Sequence, residues 1–74
     1  MEQFIKDRIE EIAFVQVGID DKLWTDRILD SITIVELIVE LEGEYAIQIP
    51  MVDVVEENFN SVRLIIAYIE RLKA

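Results

Sequence analysis

The sequence contains neither cysteine nor histidine among its 74 residues. Without cysteine, neither a disulfide framework nor a thiolate metal site can form. Without histidine, the chain lacks the commonest metal ligand and the side chain that most often acts as a general base near neutral pH. Carboxylates, hydroxyls and amines are the groups left for chemistry. We therefore expect no catalytic residue, no metal site and no enzymatic activity of the chain's own.

The sequence also lacks long apolar runs. None approaches the ~20 residues that a membrane-spanning helix needs. The N-terminus is charged from the second residue onward, unlike a secretory signal with its basic start and apolar middle. We therefore expect a cytoplasmic protein with no membrane partner. Hydrophobic residues still make up 53% of the chain, enough for one core, and the short length predicts a single domain over residues 1–74.

Basic side chains are scarce and unevenly distributed. The net charge is −9, and residues 31–60 hold seven acidic residues and no basic one. Lysine and arginine are absent from the whole stretch between Ile28 and Val62. Such a polyanionic segment repels nucleic acid and attracts basic protein surfaces. We expect no nucleic-acid partner, and the acids form either a solubilising face or a docking surface.

Apolar residues at helical spacing predict helices and no strand. The first helix is predicted over residues 2–14, and Gly18 would end any continuation. A long loop then runs to Leu29, and its apolar residues are expected to fold onto the core. These residues are Leu23, Trp24, Ile28 and Leu29.

The second half of the chain predicts three more helices. Asp30 is a favourable N-cap for a second helix over residues 31–44. One short helix is predicted over residues 52–58, and Asn60 or Ser61 would cap the last helix. The predicted fold class is therefore all-α, a four-helix domain with a short third helix and a long loop between helices one and two.

The second predicted helix carries two apolar strips. Its larger strip consists of Ile34, Leu37, Ile38, Leu41 and Tyr45. The smaller strip consists of Ile32, Val35 and Val39 and runs beside Glu36 on the same surface as Ser31. A domain this small can hardly bury both. Either a neighbouring helix covers the smaller strip, or the strip is exposed as a binding surface edged by acids.

Ser31 directly follows the predicted N-cap. We expect unpaired backbone N–H groups near it, and the positive end of the helix dipole would stabilise a phosphate ester on its hydroxyl. The chain offers no general base to make this serine a nucleophile, but an enzyme that brings base and metal could modify it. The alternative is that the Asp30-Ser31 pair simply starts a helix.

Several short motifs follow one another in an order typical of one family. They are Leu29-Asp30-Ser31-Ile32-Thr33-Ile34-Val35-Glu36-Leu37, Leu41-Glu42, Glu44-Tyr45, Ile49-Pro50 and Val62-Arg63-Leu64-Ile65-Ile66-Ala67-Tyr68-Ile69. This ordered set resembles acyl carrier proteins and covers about residues 2–72. The resemblance implies an acyl-carrier-like bundle in which Ser31, next to Asp30, receives a covalent phosphopantetheine arm from coenzyme A.

The resemblance also implies partners and cargo. The surface that partner enzymes grip would consist of Ile32, Val35, Glu36, Val39 and Glu40. The partners would be a phosphopantetheinyl transferase (a holo-acyl-carrier-protein synthase), an acyl-activating ligase, and acyl-transfer or synthase enzymes, which a monomer visits in turn. The arm would carry acyl intermediates as thioesters, as in fatty acid or polyketide biosynthesis. A cleft for an acyl chain would be lined by Ile34, Ile38, Ile47, Val54, Val55 and Phe59.

Two departures leave the cargo open. Thr33 stands where fatty-acid carriers usually have an acid, and residues 51–59 run about two residues longer than the corresponding segment of those carriers. Both departures look more like carriers of polyketide, aminoacyl or D-alanyl units.

A different class of function uses the same acids without a cofactor. The chain would then be an acidic helical interaction module, similar to an anti-sigma or DNA-mimicking protein. A calcium loop is a weaker alternative, because the spacing of its loop aspartates and a missing glycine fail the EF-hand pattern. These aspartates are Asp20, Asp21, Asp26 and Asp30.

Overall fold

The computed structural model describes all 74 residues and contains four α-helices and no strand. The helices are α1 (Glu2–Ala13), α2 (Ser31–Tyr45), α3 (Glu56–Phe59) and α4 (Val62–Lys73), with a 3₁₀ turn at Met51–Asp53 before α3. The long connection between α1 and α2 contains no helix. The structure therefore confirms the predicted all-α fold with its short third helix and long first loop.

One apolar core joins the four helices, since α1 packs against both α2 and α4, and α3 packs against α4. Every helix contributes side chains with no exposed surface: Ile5, Ile9, Leu37, Leu41, Phe59, Val62, Ile65 and Ile69. Full burial of such a side chain contributes roughly 1.5–3 kcal/mol. The core is what keeps α3 helical, because an isolated helix of four residues has almost no stability of its own.

Asn60 fixes the long loop between α1 and α2. Its Oδ1 accepts hydrogen bonds from the backbone N–H groups of Trp24 at 2.9 Å and Thr25 at 3.0 Å. Its Nδ2 donates to Thr25 Oγ1 at 2.9 Å, and its carbonyl accepts from the Leu23 N–H at 2.7 Å. The apolar loop residues fold onto the core as predicted, with Leu23 and Leu29 buried. The loop is thus held in place just before the start of α2.

The cap of α4, which the sequence left between two residues, is Ser61. The Ser61 hydroxyl oxygen accepts a hydrogen bond from the Leu64 N–H at 3.1 Å. Because the Ser61 hydroxyl accepts from an N–H group in the first turn of α4, the Asn60 side chain is not needed as the cap and can bond the loop.

The third helical segment differs from the single helix predicted over residues 52–58. The chain forms the 3₁₀ turn at Met51–Asp53, leaves helical geometry at Val54 and Val55, and then forms α3. The prediction of a short helix is correct, but its start is wrong by four residues.

Contacts of Asp53 explain the interruption. The Tyr68 hydroxyl donates to Asp53 Oδ2 at 2.7 Å, and Asn58 Nδ2 donates to the Asp53 carbonyl at 2.9 Å. Burial, followed by this bond to Asp53, raises the pKa of Tyr68 to about 12, so the hydroxyl keeps its proton at neutral pH. These bonds hold Asp53 at the end of a turn, and the two β-branched residues that follow disfavour helix.

Two helices end at residues with left-handed backbone conformation. Phe14 has φ 60° and donates its N–H to the Glu10 carbonyl, which ends α1, and Ala46 ends α2 with φ 53°. The first helix thus ends within one residue of its predicted end at residue 14, and Gly18, the expected stop for any continuation, follows four residues later without a positive φ. Phe14 is also 89% exposed.

We expect Phe14→Gly to raise the free energy of unfolding by about 0.5–1 kcal/mol. Left-handed geometry costs a residue with a Cβ roughly 1–2 kcal/mol, which the greater chain entropy of unfolded glycine only partly offsets. The exposed ring contributes little packing that could be lost. Thermal unfolding followed by circular dichroism measures the change. The control is Val15→Gly, at a neighbouring residue without positive φ, which should lower stability; equal losses in both variants would contradict the prediction.

Candidate functional site

The start of α2 is fixed by a capping box. Asp30 Oδ1 accepts hydrogen bonds from the backbone N–H groups of Ile32 at 2.9 Å and Thr33 at 2.8 Å. In return, Thr33 Oγ1 accepts from the Asp30 N–H at 2.7 Å. Such a cap contributes about 1 kcal/mol. It confirms Asp30 as N-cap, explains the hydroxyl at position 33, and makes Ser31 the first residue of α2.

Asp30 carries a negative charge next to Ser31. Hydrogen bonds from the Thr33 N–H, the Thr33 hydroxyl and the Ile32 N–H hold the pKa of Asp30 below its usual value. The same bonds occupy the backbone N–H groups of Ile32 and Thr33. The expectation of unpaired N–H groups near Ser31 is therefore wrong for these two, because one carboxylate takes both, whereas the N–H of Ser31 itself forms no hydrogen bond.

Ser31 differs from every other serine or threonine in the chain by having a free hydroxyl. Thr25 Oγ1 accepts from Asn60, Thr33 is part of the capping box, and Ser61 caps α4 while only 8% exposed. The Ser31 side chain is exposed and forms no intramolecular hydrogen bond. An enzyme can therefore reach its oxygen without unfolding any element.

Ser31 lines a cleft of about 730 Å³. Three segments build its apolar walls: the loop before α2, the first turns of α2, and the chain around the 3₁₀ turn. The wall residues include Trp24, Leu29, Ile34, Val35, Met51 and Val54. Of the six residues expected to line an acyl cleft, Ile34 and Val54 do so. Ile38 and Phe59 lie in the core, and Ile47 and Val55 are not among the lining residues. The cleft is therefore a surface groove beside Ser31.

The smaller apolar strip of α2 is exposed. Ile32 is 70% exposed, Val35 44% and Val39 59%, so no neighbouring helix covers the strip. Two acids edge it. Glu36 forms no ion pair, whereas Glu40 Oε1 lies 3.8 Å from Arg8 Nη1 on α1. The structure therefore excludes a covering helix and shows the strip exposed, while its use as a binding surface stays a prediction.

Two further apolar side chains lie exposed near this strip. Met51 is 66% and Val52 83% exposed in the 3₁₀ turn, and Met51 lines the cleft beside Ser31. Sequence reasoning placed Val52 in a helix and assigned Met51 no role, and so missed both. It also missed Arg27, which lines the same cleft. A signal for Arg27 was present, since it is the last base before the base-free stretch.

The loop aspartates do not form a metal site. Asp20 pairs with Arg63, with Oδ1 2.7 Å from Nε, and Asp21 accepts from the Gly18 N–H at 2.7 Å. Asp30 caps α2, and no three acidic side chains of the chain gather to hold an ion.

No helix of the protein is long and apolar enough to span a bilayer.

Residues 7–69 match the family model of the phosphopantetheine attachment site. The chain belongs to this family. Its members carry phosphopantetheine covalently on a serine, and this chain is such a carrier protein. A cofactor-free acidic interaction module is accordingly not favoured.

Relatives of this phosphopantetheine-binding carrier have closely similar lengths. A D-alanyl carrier protein of Leuconostoc citreum is 30% identical over 74 residues, covering 92% of this chain and 95% of that protein. D-alanyl carrier proteins of Enterococcus faecalis and Streptococcus pyogenes serotype M1 are each 37% identical over 54 residues. Those alignments cover 73% of this carrier and 69% and 68% of the two relatives, respectively.

Proposed function

We propose that this carrier protein bears its phosphopantetheine arm on Ser31 and transports a D-alanyl group as a thioester. The observation that supports it most directly is the free, exposed hydroxyl of Ser31 at the start of α2, beside a cleft with apolar walls. Ser61, the other serine, is buried and occupied as a cap. The cargo is proposed from the names of the relatives, all three of which are D-alanyl carrier proteins.

Attachment needs a partner because the chain supplies no base. A bond forms between Ser31 Oγ and the phosphorus of coenzyme A that bears the pantetheine. The pyrophosphate bond of coenzyme A breaks, adenosine 3′,5′-bisphosphate leaves, and the serine proton passes to a base on the transferase. The arm ends in a thiol, which supplies the thioester that holds the cargo. The protein's own part is to present the serine and to guide the arm.

The core itself offers no room for a cargo. The cleft beside Ser31 is lined by Ile34 and Val54 but does not include Ile38 or Phe59, which are 4% and 0% exposed in the core. An acyl chain that entered the core would have to displace those side chains, and closely packed interiors resist such insertion. An alanyl group at the end of the arm needs no such displacement.

The partner surface is proposed to be the exposed strip of α2 with its two acids. It consists of Ile32, Val35, Glu36, Val39 and Glu40. Its support is the exposure of the apolar residues together with the unpaired charge of Glu36. Apolar contact would hold a partner briefly, and the acids would steer basic surfaces toward it. The partners are a phosphopantetheinyl transferase, an activating ligase and an acyl-transfer enzyme.

We further propose that residues 1–74 act as one monomeric domain without catalysis of its own. Its place would be the cytoplasm, because its loading requires coenzyme A. The shared core and the family match over residues 7–69 support the single unit.

Intact mass spectrometry tests the cargo. After incubation with coenzyme A, magnesium and a phosphopantetheinyl transferase, the wild type should gain one phosphopantetheine unit. The modified protein should then gain one alanyl unit from D-alanine, ATP and a D-alanine-activating ligase. Octanoate with an acyl-activating ligase is the control. Loading with octanoate but not with D-alanine would refute the cargo and leave the carrier role intact.

A further inference from the structure

A phosphodiester on Ser31 would enter a negatively charged environment. Asp30 is an ionised carboxylate beside it and takes the N–H groups of Ile32 and Thr33, which leaves the N–H of Ser31 as the unbonded one among these three at the start of α2. Glu56 lines the same cleft, and the protein's net charge is −9. The helix terminus therefore offers the phosphate a single N–H group beside two carboxylates, and a cation at the cleft would add the attraction that orients it.

Arg27 is the one base that lines this cleft. Its side chain is exposed and forms neither an ion pair nor a hydrogen bond. Most of the other bases are engaged within the protein. Lys6, Arg8 and Arg63 pair with acids, and Arg71 and Lys73 lie over tyrosine rings. Lys22 is the remaining free base, and it lies outside the cleft.

Arg27 has a backbone conformation that is uncommon for a residue with a side chain. Its φ of 58° is left-handed geometry, which favours glycine and strains a residue with a side chain. The Arg27 N–H donates to the Trp24 carbonyl at 3.1 Å, and Trp24 is held by Asn60. The backbone of Arg27 is thus fixed in a closed turn four residues before Ser31. The strain at this position brings no packing gain that the structure shows.

We infer that the Arg27 guanidinium pairs with the phosphodiester of the arm on Ser31 and so directs the arm along the cleft. A guanidinium can bond two phosphate oxygens at once, which fixes orientation as well as distance. The inference rests on the proposed attachment to Ser31. Arg27 acts here as a positioning residue, since the bond to the arm is made by the serine.

Thermal unfolding of the apo and the phosphopantetheine-bearing protein tests the pairing. At low salt, attachment should raise the melting temperature of the wild type more than that of Arg27→Gly, by roughly 2–4 °C. Glycine suits the backbone at position 27, so the apo variant should be at least as stable as the apo wild type. The difference should vanish near ~0.5 M NaCl, where exposed charges are screened.

Matched variants separate the pairing from a general charge effect. Lys22→Ser removes the other free base and should behave as the wild type does. Arg27→Lys keeps the charge without the two-pronged geometry and should restore part of the effect. In ³¹P NMR the phosphodiester resonance should differ between wild type and Arg27→Gly and coincide between wild type and Lys22→Ser.

A failure of the Arg27 pairing can be told apart from a failure of the attachment to Ser31. If intact mass shows the arm in place and attachment shifts the melting temperatures of wild type and Arg27→Gly equally, the pairing is refuted and the attachment to Ser31 stands. If the wild type gains no mass with an active transferase, the proposed attachment itself is refuted.

Discussion

Ser31→Ala should abolish the mass gain from coenzyme A completely, while the protein remains folded. The Ser31 hydroxyl takes no part in the capping box, whose bonds run between Asp30 and the residues at 32 and 33. Alanine is also the best helix former for the first turn of α2. The free energy of unfolding should therefore stay within about 0.5 kcal/mol of the wild type. Intact mass and urea unfolding measure the two quantities.

Ser61→Ala is the matched control, because it alters the other serine of the chain. It should leave the mass gain unchanged and lower the free energy of unfolding by about 1 kcal/mol, since the Ser61 hydroxyl caps α4. The two variants thus have opposite effects on modification and stability. A mass gain that persists in Ser31→Ala and disappears in Ser61→Ala would move the attachment to position 61.

Glu36→Lys should lower kcat/KM of the transferase by about tenfold or more. Glu36 is exposed beside Val35 and has no ion-pair partner, so its charge is fully available to a basic partner. Lysine there replaces an attraction with a repulsion between like charges at the contact. A variant of Glu40 would be harder to interpret, because it would also remove the ion pair with Arg8 on α1. The ratio of wild-type to variant rates should shrink as salt rises.

Glu70→Lys is the control for net charge. Glu70 is exposed near the end of α4, forms no ion pair, and lies on a different helix from the exposed strip of α2. It should change kcat/KM by less than about threefold. Equal losses in both variants would mean that the overall field of the protein steers the transferase, and no loss in either would remove the acids from the partner surface.

The elements that sequence reasoning placed correctly are those set by nearby residues. Asp30 caps α2 through bonds that span three residues, and the apolar spacing of α2 by itself revealed two strips. The split of the third segment involves, besides the local Val54 and Val55, a bond from Tyr68, which is 15 residues away from Asp53. No local pattern announces such a bond. The helix prediction failed where a distant side chain helps to hold the backbone.

The candidate site shows the same division. The sequence revealed the strip of Ile32, Val35 and Val39 but left its exposure open, and the structure decided it. The prediction of Ser31 as the attachment site used its place after the cap together with the resemblance to acyl carrier proteins. The occupied N–H groups follow from the predicted N-cap at Asp30, because a capping carboxylate accepts from the first turn of its helix. The left-handed turn at Arg27 could not be predicted, because no glycine or asparagine marks it.

The pairing of Glu40 with Arg8 has a consequence for how long partners stay bound. A basic residue that docks on Glu40 must compete with Arg8, so the encounter exchanges one ion pair for another. Exchanges of this kind at exposed sites yield little net free energy. Residence times on the α2 surface should accordingly be short. A protein that hands its cargo from one enzyme to the next works best when no single partner retains it.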